Sequence, residues 1–369
     1  VKIQRIYTFL LLIVTLTCGN ITRAGEFTCN PFLNKTFGQR YDLMLDMYEQ
    51  VKVRPQKEAM AAFEQIEKCA AAHGEKELLY SIRLQLYRYY IIENHLPASG
   101  FEDTINTFIA LLDKEGYINL KAYAYVVFAD YYWIRSREFG PGLEYLLRAY
   151  NLYADMPAAE FTPKSSFIYD LALKYYRFKD YRTAKRLLRE MQSTVPLYTI
   201  PDEYNAPNLL GLCYRNTGQY DSALFWFNDA LHKAEKKGRT VWVGILYGNM
   251  GITHYMQGNY EQAIPLLEKD ITICTLERHA MENVPKSLSI LADCYSRLGQ
   301  SAKALNALEE LKIIIRDENF WKQYDMLPEV YRLMAGVYYH GGQKDIAYAY
   351  SDSAHIKRDS FDFKESGLI

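Results

Sequence analysis

Small and bulky apolar positions recur along this chain in fixed register, about 40 residues apart. The first column is Asp130, Ala172, Gly211, Gly251, Ala292 and Ala335, with spacings of 42, 39, 40, 41 and 43 residues. Twelve residues later lies a second column in which every member is small: Gly142, Ala184, Ala223, Ala263, Ala304 and Ala347. A third column, three residues after the first, is bulky: Trp133, Tyr175, Tyr214, His254, Tyr295 and Tyr338. The fourth, four residues after the second, reads Leu146, Leu188, Phe227, Leu267, Leu308 and Ser351. Small residues let two helix backbones approach, and bulky ones a turn away fill the space beside them, so the columns predict antiparallel helical hairpins.

Punctuation falls where hairpins need it. Gly218, Gly258, Gly299 and Gly342 follow the first column by seven residues, at the place where a left-handed residue ends a helix. Runs such as Thr217-Gly218-Gln219-Tyr220 and Gln257-Gly258-Asn259-Tyr260 repeat it. Over 37–114 the amphipathic pattern alone predicts helices. There Pro55 suits a first turn and Gly74 an end, while Pro97 and Gly100 separate the next two helices.

The columns resemble the tetratricopeptide repeat (TPR), most plainly in Leu210-Gly211-Leu212-Cys213-Tyr214 followed by Gly218, Tyr220, Ala223, Phe227 and Ala230. The resemblance implies an all-α fold, a right-handed α-solenoid of about eight antiparallel helical hairpins with helices longer than the 34-residue repeat provides. It covers 163–358, more weakly 117–153. The expected organisation is a signal peptide over 1–24, divergent hairpins over 25–116, the repeat array over 117–358 and a tail over 359–369. Asp130 stands where a small residue is expected and Lys179 where a turn glycine is expected.

The first residues add an address. Lys2 and Arg5 precede the apolar run Tyr7 to Thr17, and Thr22 and Ala24 have the spacing of a signal-peptidase site. The run is short for a membrane span, and no later stretch reaches the roughly 20 apolar residues a span needs. The expectation is export to a periplasm or the exterior after cleavage at Ala24, the alternative an uncleaved membrane anchor. Cys18 follows Thr15-Leu16-Thr17, a poor lipidation box. Cleavage leaves Cys29, Cys69, Cys213, Cys274 and Cys294, of which Cys29 and Cys69 are the pair for a disulfide pinning the N-terminal segment to the first hairpin; free buried thiols are the other reading.

Composition narrows the function. Hydrophobic residues make up 49% and charged residues 24%, so a large core is available. A formal charge of -1, more acidic once three N-terminal basic residues are removed, gives no pull toward nucleic acid. The 33 tyrosines suit helices apolar at their bases and wet at their tips. Catalytic motifs are missing: there is no His-Glu-x-x-His helix, Gly-x-Ser-x-Gly turn or phosphate-binding glycine loop, the seven histidines are scattered, and no cysteine or histidine spacing suits zinc. Neither an enzyme nor a cofactor is expected.

A binding groove is. The resemblance implies that the first helix of each hairpin lines a concave face. Five residues after the first column come Arg135, Arg177, Asn216, Met256, Arg297 and His340, with Arg215 one position earlier in its repeat. Tyr131, Tyr169, Tyr176, Tyr255 and Tyr339 fall near the same face. Such a lining favours a protein or an extended peptide of acidic or carboxylate-bearing character; the competing reading pairs these arginines with acids on neighbouring repeats. The lysine and asparagine clamp of some TPR chaperone adaptors is not reproduced, since Asn208 and Leu212 occupy the nearest positions. Two functions follow: an exported binding scaffold, or the sensory half of a bacterial signalling protein of histidine-kinase or helix-turn-helix type. The array looks like such input portions, and the second reading expects a span and output motifs in coding sequence beyond Ile369.

Overall fold

The computed structural model describes residues 27–93, 100–158, 160–194, 200–276, 283–316 and 326–366. The leader over 1–24 and Pro97 lie outside the described residues. Among the described residues the regular structure is helical, and the chain divides into two compact units, 1–135 and 136–369.

Unit 1 holds α1 (Phe37–Lys52), α2 (Gln56–Ala72), α3 (Lys76–Ile92), α4 (Phe101–Glu115) and α5 (Ile118–Asp130). Thr36 caps α1 with a capping box to Gln39, and Pro55 stands immediately before α2. Phe63, Ile66, Leu78 and Ile82 from α2 and α3 form the centre of its core. The buried Arg40 joins the start of α1 to α3: its guanidinium donates to the Phe32 carbonyl at 3.0 Å and to Glu75 and Glu77 at 2.7 and 3.4 Å. At Asp130, the polar member of the first column, α5 gives way to a π-helical turn, Tyr131–Ser136.

Unit 2 holds α6 (Phe139–Tyr153), α7 (Lys164–Arg177), α8 (Tyr181–Thr194), α9 (Ile200–Asn216), α10 (Tyr220–Lys236), α11 (Thr240–Met256), α12 (Tyr260–Leu276), α13 (Val284–Arg297), α14 (Ser301–Ile314), α15 (Leu327–His340) and α16 (Lys344–Ser366). From α7 onward they pack as consecutive hairpins, α7 on α8 through α15 on α16. The first helix of each hairpin also packs on the first helix of the next, α7 on α9, α9 on α11, α11 on α13 and α13 on α15. Unit 2 is therefore a TPR-like solenoid with one layer built from first helices.

The columns explain this packing. A Cβ added to Gly211 would lie 2.5 Å from Cε1 of Phe227, and one on Gly251 would lie 2.9 Å from Cγ of Leu267. In these two hairpins the small residue of the first column thus receives the bulky residue of the fourth. Turns repeat equally closely: the amides of Asp180, Gln219, Asn259, Gln300 and Gln343 each donate back to the carbonyl five residues earlier, at 2.8 to 2.9 Å. This is the Schellman closure, which requires a left-handed residue one position before the donor. Gly218, Gly258, Gly299 and Gly342 supply it, with φ between 71° and 80°, and Lys179 adopts it with a side chain, at φ 62°.

Candidate binding face

The helix period decides which side chains the first-helix layer presents. Residues five positions after the first column fall at the helix ends: Arg177, Asn216, Met256, Arg297 and His340 are all exposed beside the turns. Residues four positions after it sit about 100° around the axis and are Tyr176, Arg215, Tyr255, Ser296 and Tyr339, of which Arg215 is buried and Tyr176, Tyr255 and Ser296 half-buried. This second series carries the contacts between repeats.

Arg215 is the centre of one cluster. It is 7% exposed. Its Nη1 donates to Oδ1 and to the carbonyl oxygen of Asn249 at 3.1 and 3.4 Å, and Asn249 in turn donates to Oδ1 of Asn208 at 2.9 Å. The guanidinium lies 5.8 Å from the Phe227 ring, and its Nε is buried without a hydrogen-bond partner. Burial pushes the Arg215 pKa down, while Tyr176 and Glu329 oppose that shift. Lys286 is pushed down by burial and by Arg215, against the pull of Glu329, whose Oε2 is 3.7 Å from its Nζ. Arg215 on α9 thus feels the charges of Tyr176 on α7 and Glu329 on α15, and Lys286 on α13 those of Glu329 and Arg215.

A second cluster lies on α11 and α13. Tyr255 donates to Oδ2 of the buried Asp293 at 2.6 Å, and Arg297 Nε donates to the same oxygen at 2.7 Å while its Nη1 reaches the Tyr260 hydroxyl at 3.2 Å. Burial, then the bond to Asp293, pushes the Tyr255 phenol up. Tyr176 accepts from Nδ2 of Asn216 at 3.1 Å and packs its ring 5.6 Å from Tyr181. Tyr169 is half-buried on α7, and Tyr339 is 51% exposed at the end of α15 with His340 beside it.

Arg135 and Tyr131 belong to unit 1. Arg135 donates to the carbonyls of Ile91 and Ile92 at 2.5 Å each, closing the last turn of α3, and the Tyr131 ring packs 5.2 Å from Phe101. Of the four arginines singled out from sequence, Arg297 pairs with an acid, one turn back on its own helix; Arg135 binds carbonyls, Arg215 binds asparagine and Arg177 is exposed. Asn249, Lys286, Glu329 and Asp293 escaped the column reading, because they sit two, six, six and one positions away from the small residue. A helical-wheel projection centred on Arg215 would have found Asn208, seven residues before it on the same face.

Cys29 Sγ and Cys69 Sγ are bonded at 2.03 Å, joining the segment before α1 to α2. His73 Nδ1 is 3.8 Å from Cys29 Sγ. These three residues are the one group with metal-ligand proximity among the described residues, and both sulfurs are committed to the disulfide. Cys274 lies 3.1 Å from Asp270, but the pair is buried and the thiol is pushed up by burial and by that carboxylate, the reverse of an activated nucleophile.

Residues 202–275 and 245–312 match the family model of the tetratricopeptide repeat. No curated protein matches the chain in sequence. Among solved structures, the apo form of RapI is 14% identical and superposes with a TM-score of 0.65, covering 88% of this chain and 98% of that one. A Rap protein complexed with Competence and Sporulation Factor is 15% identical, with a TM-score of 0.50 and coverage of 89% and 99%. The apo form of the quorum sensor NprR from B. thuringiensis is 15% identical, with a TM-score of 0.53 and coverage of 87% and 99%. At such identities the likeness is one of fold.

Proposed function

We propose that this tetratricopeptide-repeat protein is a binding scaffold whose inner, first-helix face in unit 2 holds another polypeptide in extended form. The observation that carries the reading is the set of polar and aromatic side chains on successive first helices of one layer: Tyr176, Arg215 and Tyr255 recur at repeat spacing, and Asn249 and Lys286 stand on the same layer out of that register. An extended chain matches such a ladder because its groups also recur along a line. Tyrosine and arginine supply flat apolar area and fixed hydrogen-bond donors at little entropic cost. Of the neighbours in fold, the Rap protein was crystallised in complex with Competence and Sporulation Factor, which supports binding as a use of this architecture. Arg215 and Lys286 against Glu329 favour a guest of acidic character.

The test is photo-crosslinking in the native cell from three single positions: Tyr176 and Tyr255 on the inner face, and Phe225, which is 65% exposed on α10. Adducts to a polypeptide from the first two and not from the third are expected. Equal adducts from Phe225, or none from the inner positions, overturn the reading.

The proposal includes export. Its support is the basic, apolar and small-residue order of 1–24, together with the Cys29–Cys69 disulfide, which an oxidising compartment preserves. Among the described residues no helix is long and apolar enough to cross a membrane. N-terminal sequencing of the native protein should begin at Gly25; a chain that retains Lys2 and Arg5 contradicts cleavage.

A further inference from the structure

We propose that Cys29, Cys69 and His73 are a site for one divalent cation of the zinc class in the reduced protein, and that this ion and the disulfide are alternative fastenings of the N-terminal segment to α2. The site lies in unit 1 and stands apart from the inner face of unit 2.

Three ligand atoms, the two sulfurs and Nδ1 of His73, lie within 4.8 Å of one another. Around a four-coordinate ion with ordinary zinc–sulfur and zinc–nitrogen bonds, ligand atoms stand about 3.6–3.8 Å apart. Nδ1 of His73 is already 3.8 Å from Cys29 Sγ. Cys69 and His73 are one helical turn apart at the end of α2, so their side chains share a face. Opening the disulfide therefore requires chiefly that the two sulfurs move apart. Sequence spacing hid this set, because its third member comes from 40 residues before Cys69.

The surroundings favour a cation here over a bare thiolate. α2 ends at Ala72, and the carbonyls of its last turn carry partial negative charge, which opposes a free thiolate and attracts a metal ion. The Cys29 amide donates to Cys69 Sγ at 3.2 Å, a bond that strengthens when the sulfur is a metal-bound thiolate. Nδ1 of His73 lies 2.9 Å from the Cys69 carbonyl and donates to it in the disulfide form; taking the ion moves that proton to Nε2 of an exposed ring. Cys29 keeps its place without the disulfide. Phe32 is buried, its carbonyl accepts from Arg40, and the Asn34 amide donates to Glu75. Cys69 is half-buried and His73 exposed, so the ion enters from solvent and water completes its coordination.

The exchange balances. A dithiol reductant gives two electrons and two protons to the disulfide and becomes a cyclic disulfide itself, leaving Cys29 and Cys69 as thiols. The incoming ion then displaces both thiol protons to solvent.

The test uses the full chain, reduced with a dithiol that is removed under nitrogen, and cobalt(II) as the light-absorbing stand-in for zinc. One equivalent should produce sulfur-to-cobalt charge-transfer absorption and the intense visible bands of four-coordination. Zinc should bleach both, and the oxidised chain should show neither. Cys29→Ser, which retains the buried Cys213, Cys274 and Cys294, should lose most of the charge transfer. His73→Gln, which keeps both sulfurs and so the disulfide, should weaken zinc binding to the reduced chain by at least about tenfold. Zinc should also slow hydrogen exchange in α1 and α2 of the reduced chain. No charge transfer in the reduced chain, an undiminished band in Cys29→Ser, or unchanged zinc affinity in His73→Gln overturns the site. Zinc that binds and leaves exchange in α1 and α2 as it was overturns the fastening.

Discussion

Asp270 is 1% exposed on α12 and has no basic partner among the described residues: Ser287 donates to Oδ2 at 2.5 Å and Cys274 to Oδ1 at 3.1 Å. Burial pushes its pKa up, and the two hydrogen bonds offset this only in part. A carboxyl whose folded-state pKa exceeds its unfolded value binds more protons when folded, so its contribution is present at low pH and is lost as pH rises through the folded pKa. Unit 2 should therefore lose stability on going upward from the ordinary carboxylate range, and thermal melts across that range should show it. Asp270→Asn should flatten the slope, whereas an unchanged slope would assign it to other groups. Asp270 was not legible in the sequence. An aspartate between Lys269 and Ile271 on an amphipathic helix reads as surface, and only the missing side chain of Gly248, where a Cβ would collide with this carboxylate, makes room for it inside. Arg215 was legible as a candidate through its position beside the first column, but Asn249, which binds it, comes from another helix.

Between helices the small columns were readable in advance, because close backbone approach excludes large side chains whatever the rest of the sequence does. Their consequence is quantitative. Gly211→Ala places a methyl 2.5 Å from Phe227, a buried ring on the facing helix, and should destabilise unit 2 by about 1–3 kcal/mol. Phe227→Leu in the same chain should recover part of that loss, so that the double variant is more stable than additivity allows, as calorimetric melts can determine. The turns offer the opposite sign. Lys179 holds a left-handed φ of 62° in the place that glycine takes in four other repeats, and both its flanking amides already make the closing bonds. Lys179→Gly should stabilise by about 1 kcal/mol, the left-handed strain less the added freedom of the unfolded chain. The π-helical turn after Asp130 was not predicted, since a single polar residue in a small column signals a departure without saying what form it takes.

At the scale of the molecule, a repeat array differs from a globular core in keeping its interactions local, each hairpin bearing mainly on its neighbours. The pairing of first helices with first helices in unit 2, and the separate core around Phe63 and Ile66 in unit 1, follow that rule. The consequence is that a covalent link should matter only where it sits. The Cys29–Cys69 bond closes a span of 40 residues, and in the chain-entropy account its removal costs about 4 kcal/mol. That cost falls on a region otherwise tied to the core by Phe32 and by the Arg40 bonds to Glu75 and Glu77. In a Cys29→Ser, Cys69→Ser variant, hydrogen exchange should therefore accelerate in α1 and α2 while the amides of α11 to α14 keep their protection. Uniform acceleration along the chain would mean instead that the two units unfold as one cooperative body, and that the locality expected of repeats fails in this protein.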